Sequence, residues 1–256
     1  MKRLFASIID VWKSILEESG SIMLMFLTAV AWAFIPPFRF RLIIKQMHFV
    51  GVRSFWVVVI TGAFTGMVFA LQIYYVLHRV AAESVVGSTV ALAICRELGP
   101  VLTGLIVTGR AGSAIAAELG TMRVTEQVDA LEVMGVHTIQ YLVTPRIIAG
   151  ALMLPLLVAL ADFIGTIGAY FVGVDLLGIN SGMFMAKIYE YVDLEDIGNG
   201  LIKASFFGCI LALIGCYKGY NTRGGAEGVG RATTESVVMA SLTILISDFI
   251  ITAVMF

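Results

Sequence analysis

The sequence predicts an all-α integral membrane protein with five transmembrane helices and an N-terminal amphipathic helix in the interface plane. Three observations predict it. Of 256 residues, 59% belong to the apolar set and 14% are charged, against about 25% charged in soluble domains. A chain of this size has too little interior to hide so much apolar surface. The apolar residues also come in runs of the roughly 20 residues that cross a bilayer, and the loops between runs alternate in basic charge.

The elements follow in chain order. Residues 1–38 form an N-terminal unit. Leu4, Ile8, Val11, Trp12 and Ile15 share one helical face while Lys2, Arg3, Asp10, Lys13 and Glu17 fall largely elsewhere, the pattern of a helix lying in the interface. Residues 19–38 carry no charge but close on Pro36-Pro37, so this unit is read as interfacial or re-entrant. Residues 39–256 form the membrane domain. Its spans are 54–77, without a charge; 84–109, broken only by Arg96-Glu97; 147–174, with Asp162; 201–217, with Lys203; and 236–256, with Asp248.

Loops 39–53, 110–146 and 218–235 are rich in Lys and Arg, whereas 175–200 holds Lys187 among five acids. Basic loops stay in the cytoplasm, so the N-terminus is expected on the cytoplasmic side and the C-terminus on the outer side. Gly62/Gly66 and Gly215/Gly219 have the spacing that lets membrane helices approach closely, and bundle packing explains them.

Arg96-Glu97 is the most informative feature. Twelve uncharged residues precede it in its span and twelve follow it, which places both charges near mid-membrane. Each costs about 2.5–3.5 kcal/mol on insertion scales, so such residues face a bundle interior or a wet cavity. Pro100 lacks an N–H and frees a carbonyl one turn back, near Arg96. Two readings stand: an ion pair bracing two helices, or a polar patch that meets a lipid headgroup. Lys203 either snorkels from the outer end of its span or adds a second cation to that patch. Asp162 and Asp248 are either relay groups or acids paired with a capping amide or an arginine.

Residues 118–135 read ELGTMRVTEQVDALEVMG. Thr125 is expected to cap a short cytoplasmic helix at 125–134, Glu126 and Asp129 favour its first turns, and Gly135 ends it. Val124, Val128 and Leu131 share its apolar face. The helix either lies on the bilayer or fits a groove on a soluble partner.

Other chemistry is excluded or unsupported. A formal net charge of −1 leaves no surplus for nucleic acid. GxxxxGK[ST], HExxH and GxSxG are absent, so no nucleotide cofactor, metal or catalytic residue is expected in this chain. Cys95, Cys209 and Cys216 read as packed thiols. The residues alone also admit an ion-coupled carrier or channel using Arg96, Glu97, Asp162 and Asp248, or a scaffold in which the charges only brace helices.

The segment 96–135, RELGPVLTGLIVTGRAGSAIAAELGTMRVTEQVDALEVMG, resembles the signature of the MlaE/YrbE permease family, the membrane subunit of bacterial phospholipid ABC transporters. The likeness continues through Thr144-Pro145-Arg146, Gly219-Tyr220 and Gly230-Arg231-Ala232-Thr233-Thr234, and covers residues from about 50 to the end. The resemblance implies the MlaE-type ABC permease fold, a homodimer in the bacterial inner membrane, and a part in outer-membrane lipid asymmetry. It implies three kinds of partner: a cytoplasmic ABC ATPase (MlaF-like) that binds ATP and Mg²⁺, a STAS-domain protein (MlaB-like) and a periplasmic MCE-domain hexamer (MlaD-like). The pocket charges of the family match Arg96, Glu97 and Lys203, with Leu71, Tyr74 and Leu77 expected along the acyl path of the phospholipid. Its ATPase-coupling helix matches the segment with Thr125, Glu126, Gln127, Asp129, Leu131 and Glu132. The loop after Gly219 departs from the family pattern, so no role passes to Arg223 or Glu227.

Overall fold

The computed structural model describes residues 2–37 and 39–255, and nearly all of them are helical. Helix α1 (Lys2–Ala33) is followed by α2 (Phe40–Val50) and α3 (Phe55–His78). A continuous helical rod then runs through α4 (Val86–Ala93), α5 (Gly99–Val107) and α6 (Ser113–Val124). Next come the short α7 (Gln127–Val133), the long α8 (Thr144–Tyr170), α9 (Ser181–Tyr191), α10 (Leu194–Tyr220) and α11 (Gly225–Met255). Among the described residues, five helical stretches are long and apolar enough to cross a membrane: Phe40–His78, Glu83–Val124, Ile139–Leu176, Leu194–Tyr220 and Gly225–Met255. Five is the number the hydropathy runs predict.

The helices outrun those hydropathy runs. Residues 110–146, expected as a basic loop, are largely helical, and Arg110 and Arg146 lie inside helical turns. The reason is that each arginine finds acceptors within the protein. Arg110 donates to Ser54 Oγ at 2.7 Å and to the Phe49 carbonyl at 2.5 Å. Arg146, almost fully buried, donates to the Leu142 carbonyl at 2.5 Å and pairs with Glu118 at 3.0 Å. A satisfied charge does not end a helix. Residues 39–53 likewise form α2, and the acidic outer segment contains α9, capped by Asn180 accepting from the Met183 N–H at 3.0 Å. Phe184 anchors α9 by burying its ring against Gly87 and Gly173.

Two kinds of contact assemble the bundle. Around Val107, Ile115, Leu119, Leu154, Phe207 and Leu211 the main core is apolar, and a second apolar cluster surrounds Val86, Val90 and Phe184. Where helix axes come closest, glycine makes room. A Cβ at Gly62 would stand 3.1 Å from the Ala161 carbonyl oxygen, and Gly66 faces Gly165, which closes α3 onto α8. A side chain at Gly208 would run into the Gly150 carbonyl, and one at Gly150 into that of Gly208, so α8 and α10 touch backbone to backbone. Gly215 and Gly219 do the same for α10 against Gly112 and Ala116. Without a hydrophobic force between helices in lipid, such close approach is what drives their association.

Helix α1 meets the bundle at one end. Thr144 Oγ1 donates to the Ala29 carbonyl at 3.1 Å, Gln140 donates to the Ile35 carbonyl at 2.9 Å, and Trp32 packs on His137. Eleven residues earlier, Glu18 accepts from Lys218 at the far end of α10, at 2.6 Å. The apolar stripe expected on Leu4, Ile8, Val11, Trp12 and Ile15 falls on side chains outside the described ones.

A Gly208→Val substitution is expected to destabilise the purified chain by at least the roughly 1–3 kcal/mol of ordinary overpacking, because the obstructing atoms are backbone. Gly198→Ala, in the same helix but with open space around its Cβ position, is expected to be neutral or stabilising. Thermal unfolding in detergent, followed by size-exclusion chromatography, checks both.

Candidate functional site: a buried ion-pair cluster

The rod from α4 to α6 carries two π-helical turns, Ile94–Leu98 and Thr108–Gly112, and each holds an arginine. Single π turns inside α-helices are frequent at functional sites. In the first of them the Gly99 N–H reaches back to the Ile94 carbonyl, and Pro100 has no N–H to give. Proline thus leaves room for a donor from another helix at the Arg96 carbonyl. Lys203 Nζ takes it, at 3.0 Å.

Lys203 has no solvent exposure. Its ammonium also donates to Glu97 Oε1 at 2.9 Å and to Thr252 Oγ1 at 2.7 Å, which uses its three hydrogens. Asp248 stands 3.4 Å away as a further charge partner. Thr252 in turn offers its hydroxyl to Glu97, at 3.2 Å. Arg96 turns the other way. Its Nε and Nη2 meet Asp196 Oδ1 at 2.7 and 2.6 Å. Asp196 is nearly buried and locked by a capping box, its other oxygen accepting the Asp193 N–H at 3.1 Å.

The cluster thus sets two cations against three carboxylates drawn from the rod, α10 and α11. It is sealed at its base and open at its rim: Lys203 is 0% exposed, whereas the Arg96 and Glu97 side chains are each 39% exposed. The two sequence neighbours hold different carboxylate or ammonium partners, so this is not one ion pair closed on itself. An arrangement with a fixed cation below and a guanidinium and a carboxylate at the opening can hold a small group bearing both charges.

The expectation that Lys203 could snorkel from a span end is corrected. Helix α10 begins at Leu194, which puts Lys203 about two and a half turns inside, where Glu97 and Asp248 reach it. Asp248 meets this lysine rather than a capping amide or an arginine. Asp162, also buried, lies directly against Gly99 beside the first π turn. Leu71, Tyr74 and Leu77 lie apart from these contacts, partly buried on the second apolar cluster, where Tyr74 stacks on His78. Sequence reading overlooked Asp196 and Thr252. Asp196 was legible as the third residue of a capping motif, but nothing local to Thr252 marks it.

At the other end of the rod, Thr125 does not cap α7. Its hydroxyl donates back to the Thr121 carbonyl at 2.8 Å, and Glu126 makes the turn with φ +59°. The corner already has its hydrogen bond from α6, so Thr125 is not available as a cap. Gly135, at φ +73°, does end the segment, and the Val136 N–H returns to the Leu131 carbonyl. Val128 is buried and Leu131 packs on the main core. Glu132 is tied inward, accepting from Tyr220 Oη at 2.8 Å and Thr138 Oγ1 at 3.2 Å. Arg123 pairs with Asp129. Glu126, Gln127, Asp129, Val133 and Met134 face outward.

A family model described as Permease MlaE matches residues 43–254. The chain belongs to the MlaE permease family. Its fold, with five long apolar helices, is the family's, and it is a permease subunit of the ABC transporter class. Among its relatives, a probable ABC transporter permease protein of Rickettsia bellii is 47% identical over 94% of this chain and 93% of its own. The intermembrane phospholipid transport system permease protein MlaE of Haemophilus influenzae is 45% identical over 85% of this chain and 84% of its own. A more distant family relative, the chloroplastic protein trigalactosyldiacylglycerol 1 of Arabidopsis thaliana, is 39% identical over 85% of this chain and 62% of its own.

Two substitution sets check this geometry. Lys203→Met leaves Glu97 and Asp248 without their cation and is expected to cost about 3–5 kcal/mol, while Lys203→Met with Glu97→Gln and Asp248→Asn recovers most of it. Thermal melts of the parent and the two variants read the difference. Tyr220→Phe removes the hydroxyl that holds Glu132 and is expected to loosen α7 by about 1 kcal/mol. Hydrogen exchange of residues 127–133 should then quicken roughly fivefold, with the amides of α8 unchanged.

Proposed function

We propose that this chain is the inner-membrane permease of an ATP-driven phospholipid transporter, and that the Arg96–Glu97–Lys203 cluster receives the headgroup of the lipid. The observation that carries the reading is a fully buried lysine beneath a half-open arginine and glutamate, in a chain of the MlaE permease family. The name of the Haemophilus relative, which assigns it to intermembrane phospholipid transport, supports the substrate class. Arg96 meets the phosphate at the rim, Glu97 meets an amine where the headgroup has one, and Lys203 fixes both by holding Glu97 and the Arg96 carbonyl. Leu71, Tyr74 and Leu77 line the acyl path.

The permease works as a homodimer whose two clusters share a cavity open to the periplasm, where an MCE-domain hexamer receives or delivers lipid in support of outer-membrane asymmetry. Its N-terminus lies on the cytoplasmic side, with α1 in the interface, and its C-terminus on the periplasmic side. A separate ABC ATPase binds ATP and Mg²⁺ and docks on α7, with a STAS-domain protein as accessory. The outward residues Glu126, Gln127 and Asp129 supply the polar rim of that contact, and Val133 and Met134, which are 89% and 67% exposed, supply its apolar centre. Closure of the ATPase moves α7, and α10, bound to it through Tyr220, carries the motion towards Lys203.

The test is transfer of a fluorescent phospholipid by the co-purified complex in proteoliposomes. Arg96→Ala with Glu97→Ala is expected to lower ATP-dependent transfer at least tenfold while the ATPase still co-purifies. Transfer at the normal rate by the folded double variant, or transfer driven by a proton or sodium gradient without ATP, would overturn the proposal.

A further inference from the structure

Helices α1, α10 and α11 enclose a second feature, which begins one turn of α10 beyond Lys203 and leads away from the ion-pair cluster. An open groove of about 350 Å³, at the low end of the roughly 300–1,000 Å³ of ligand sites, runs between them. Its walls are stripes at helical spacing. On α10, Phe206, Ile210 and Leu213 continue into Tyr217 and Lys218, and on α11, Thr243 and Met239 continue into Glu235 and Arg231. On α1, Phe26, Met23 and Ile22 lead to Ser19 and Glu18. All three stripes change from apolar to charged at the same level.

The charged end is itself a hollow of about 240 Å³. Lys218 Nζ bridges Glu18 at 2.6 Å and Glu235 at 3.1 Å, and Arg231 Nε lies 3.7 Å from Glu235. Arg231 and Arg223 are exposed there, and the outer edges of Glu18 and Glu235 remain open. An apolar channel that ends in a hollow showing both signs of charge has the polarity of one lipid molecule with a zwitterionic head. Lys218 lies fifteen residues beyond Lys203 in one helix, about 22 Å along its axis, so this hollow cannot be part of the first cluster.

We infer that the α1–α10–α11 groove is a second lipid site, one that holds an acyl chain of a phosphatidylethanolamine-type glycerophospholipid with its phosphate at Arg231 and Arg223 and its ammonium at Glu18 and Glu235. The bound lipid wedges α1 against the bundle at the membrane face opposite the Arg96–Lys203 cluster. The groove is built for retention: its chain-binding part is fixed by three helices, and the Glu18–Lys218–Glu235 bridge ties those same helices together.

The test uses the full-length chain in nanodiscs that contain phosphatidylethanolamine carrying a photoactivatable diazirine in one acyl chain, with the corresponding phosphatidylglycerol as second probe. Mass spectrometry maps the labelled residues. Labelling within 206–214 and 239–243 is expected to exceed that of the outward-facing Leu156 and Phe163 on α8 at least fivefold, and to be at least threefold weaker with the phosphatidylglycerol probe. Met23→Trp, at a half-exposed position that tolerates a large side chain, should lower the groove labelling at least threefold, and so should Thr243→Phe. Even labelling of the groove and α8 would mean ordinary surrounding lipid and overturn the inference. Equal labelling by both probes would overturn the headgroup assignment, and a disulfide formed on oxidation between two copies of a Met23→Cys variant would give the groove to a second subunit instead. None of these outcomes bears on transport through Arg96 and Glu97, so the two proposals fail separately.

Discussion

An ammonium group without access to water must find every acceptor inside the protein. Lys203 does so by gathering a carboxylate and a backbone carbonyl from the rod, a hydroxyl and a second carboxylate from α11, while its own backbone belongs to α10. Such a charge is tolerated only when its partners are in place, since removing one leaves a buried charge without compensation. The lysine therefore sets the relative height and rotation of three membrane helices. Pro100 prepares the fit by having no N–H of its own to give to the Arg96 carbonyl, and the π turn aims Arg96 and Glu97 at different partners.

The rest of the bundle is arranged so that this cluster need not carry the packing alone. Glycines bring α3, α8, α10 and α6 to backbone contact, where dispersion and carbonyl fit replace the hydrophobic effect that lipid does not supply. The polar contacts then act as registers between helices already close. Arg146 with Glu118, and Arg110 with Phe49 and Ser54, do this at the far end of the rod. Helix α10 is common to both ends. It holds Lys203 at the cluster and Tyr220 at α7, so one unbroken helix touches the candidate site and the candidate ATPase contact.

Much of this could be read from the chain. The five apolar runs gave the number of spans, because crossing a bilayer is a matter of local length and composition. Arg96-Glu97 stood out because a charge in hydrocarbon is costly wherever its partner lies, and Pro100 pointed to the carbonyl that Lys203 takes. The ends of the helices were less legible. Hydropathy stops at the first charge, but Arg110 and Arg146 continue their helices because acceptors wait for them on other elements. Helix α9 escaped notice for a similar reason: its one strong anchor, Phe184, is explained only by the hollow at Gly87 and Gly173.

The sequence by itself determined that this chain lives in a membrane, that its helices carry charges needing partners, and which family's signature it bears. These are properties of composition and of contiguous segments. Tertiary structure decided which charges meet. Asp196 lies 100 residues from Arg96, Lys203 lies 106 from Glu97, and Thr252 lies 155 from Glu97. No local pattern reports such pairings, because they depend on how helices distant in the chain are brought side by side. Only the folded bundle shows a lysine sealed beneath an open arginine and glutamate.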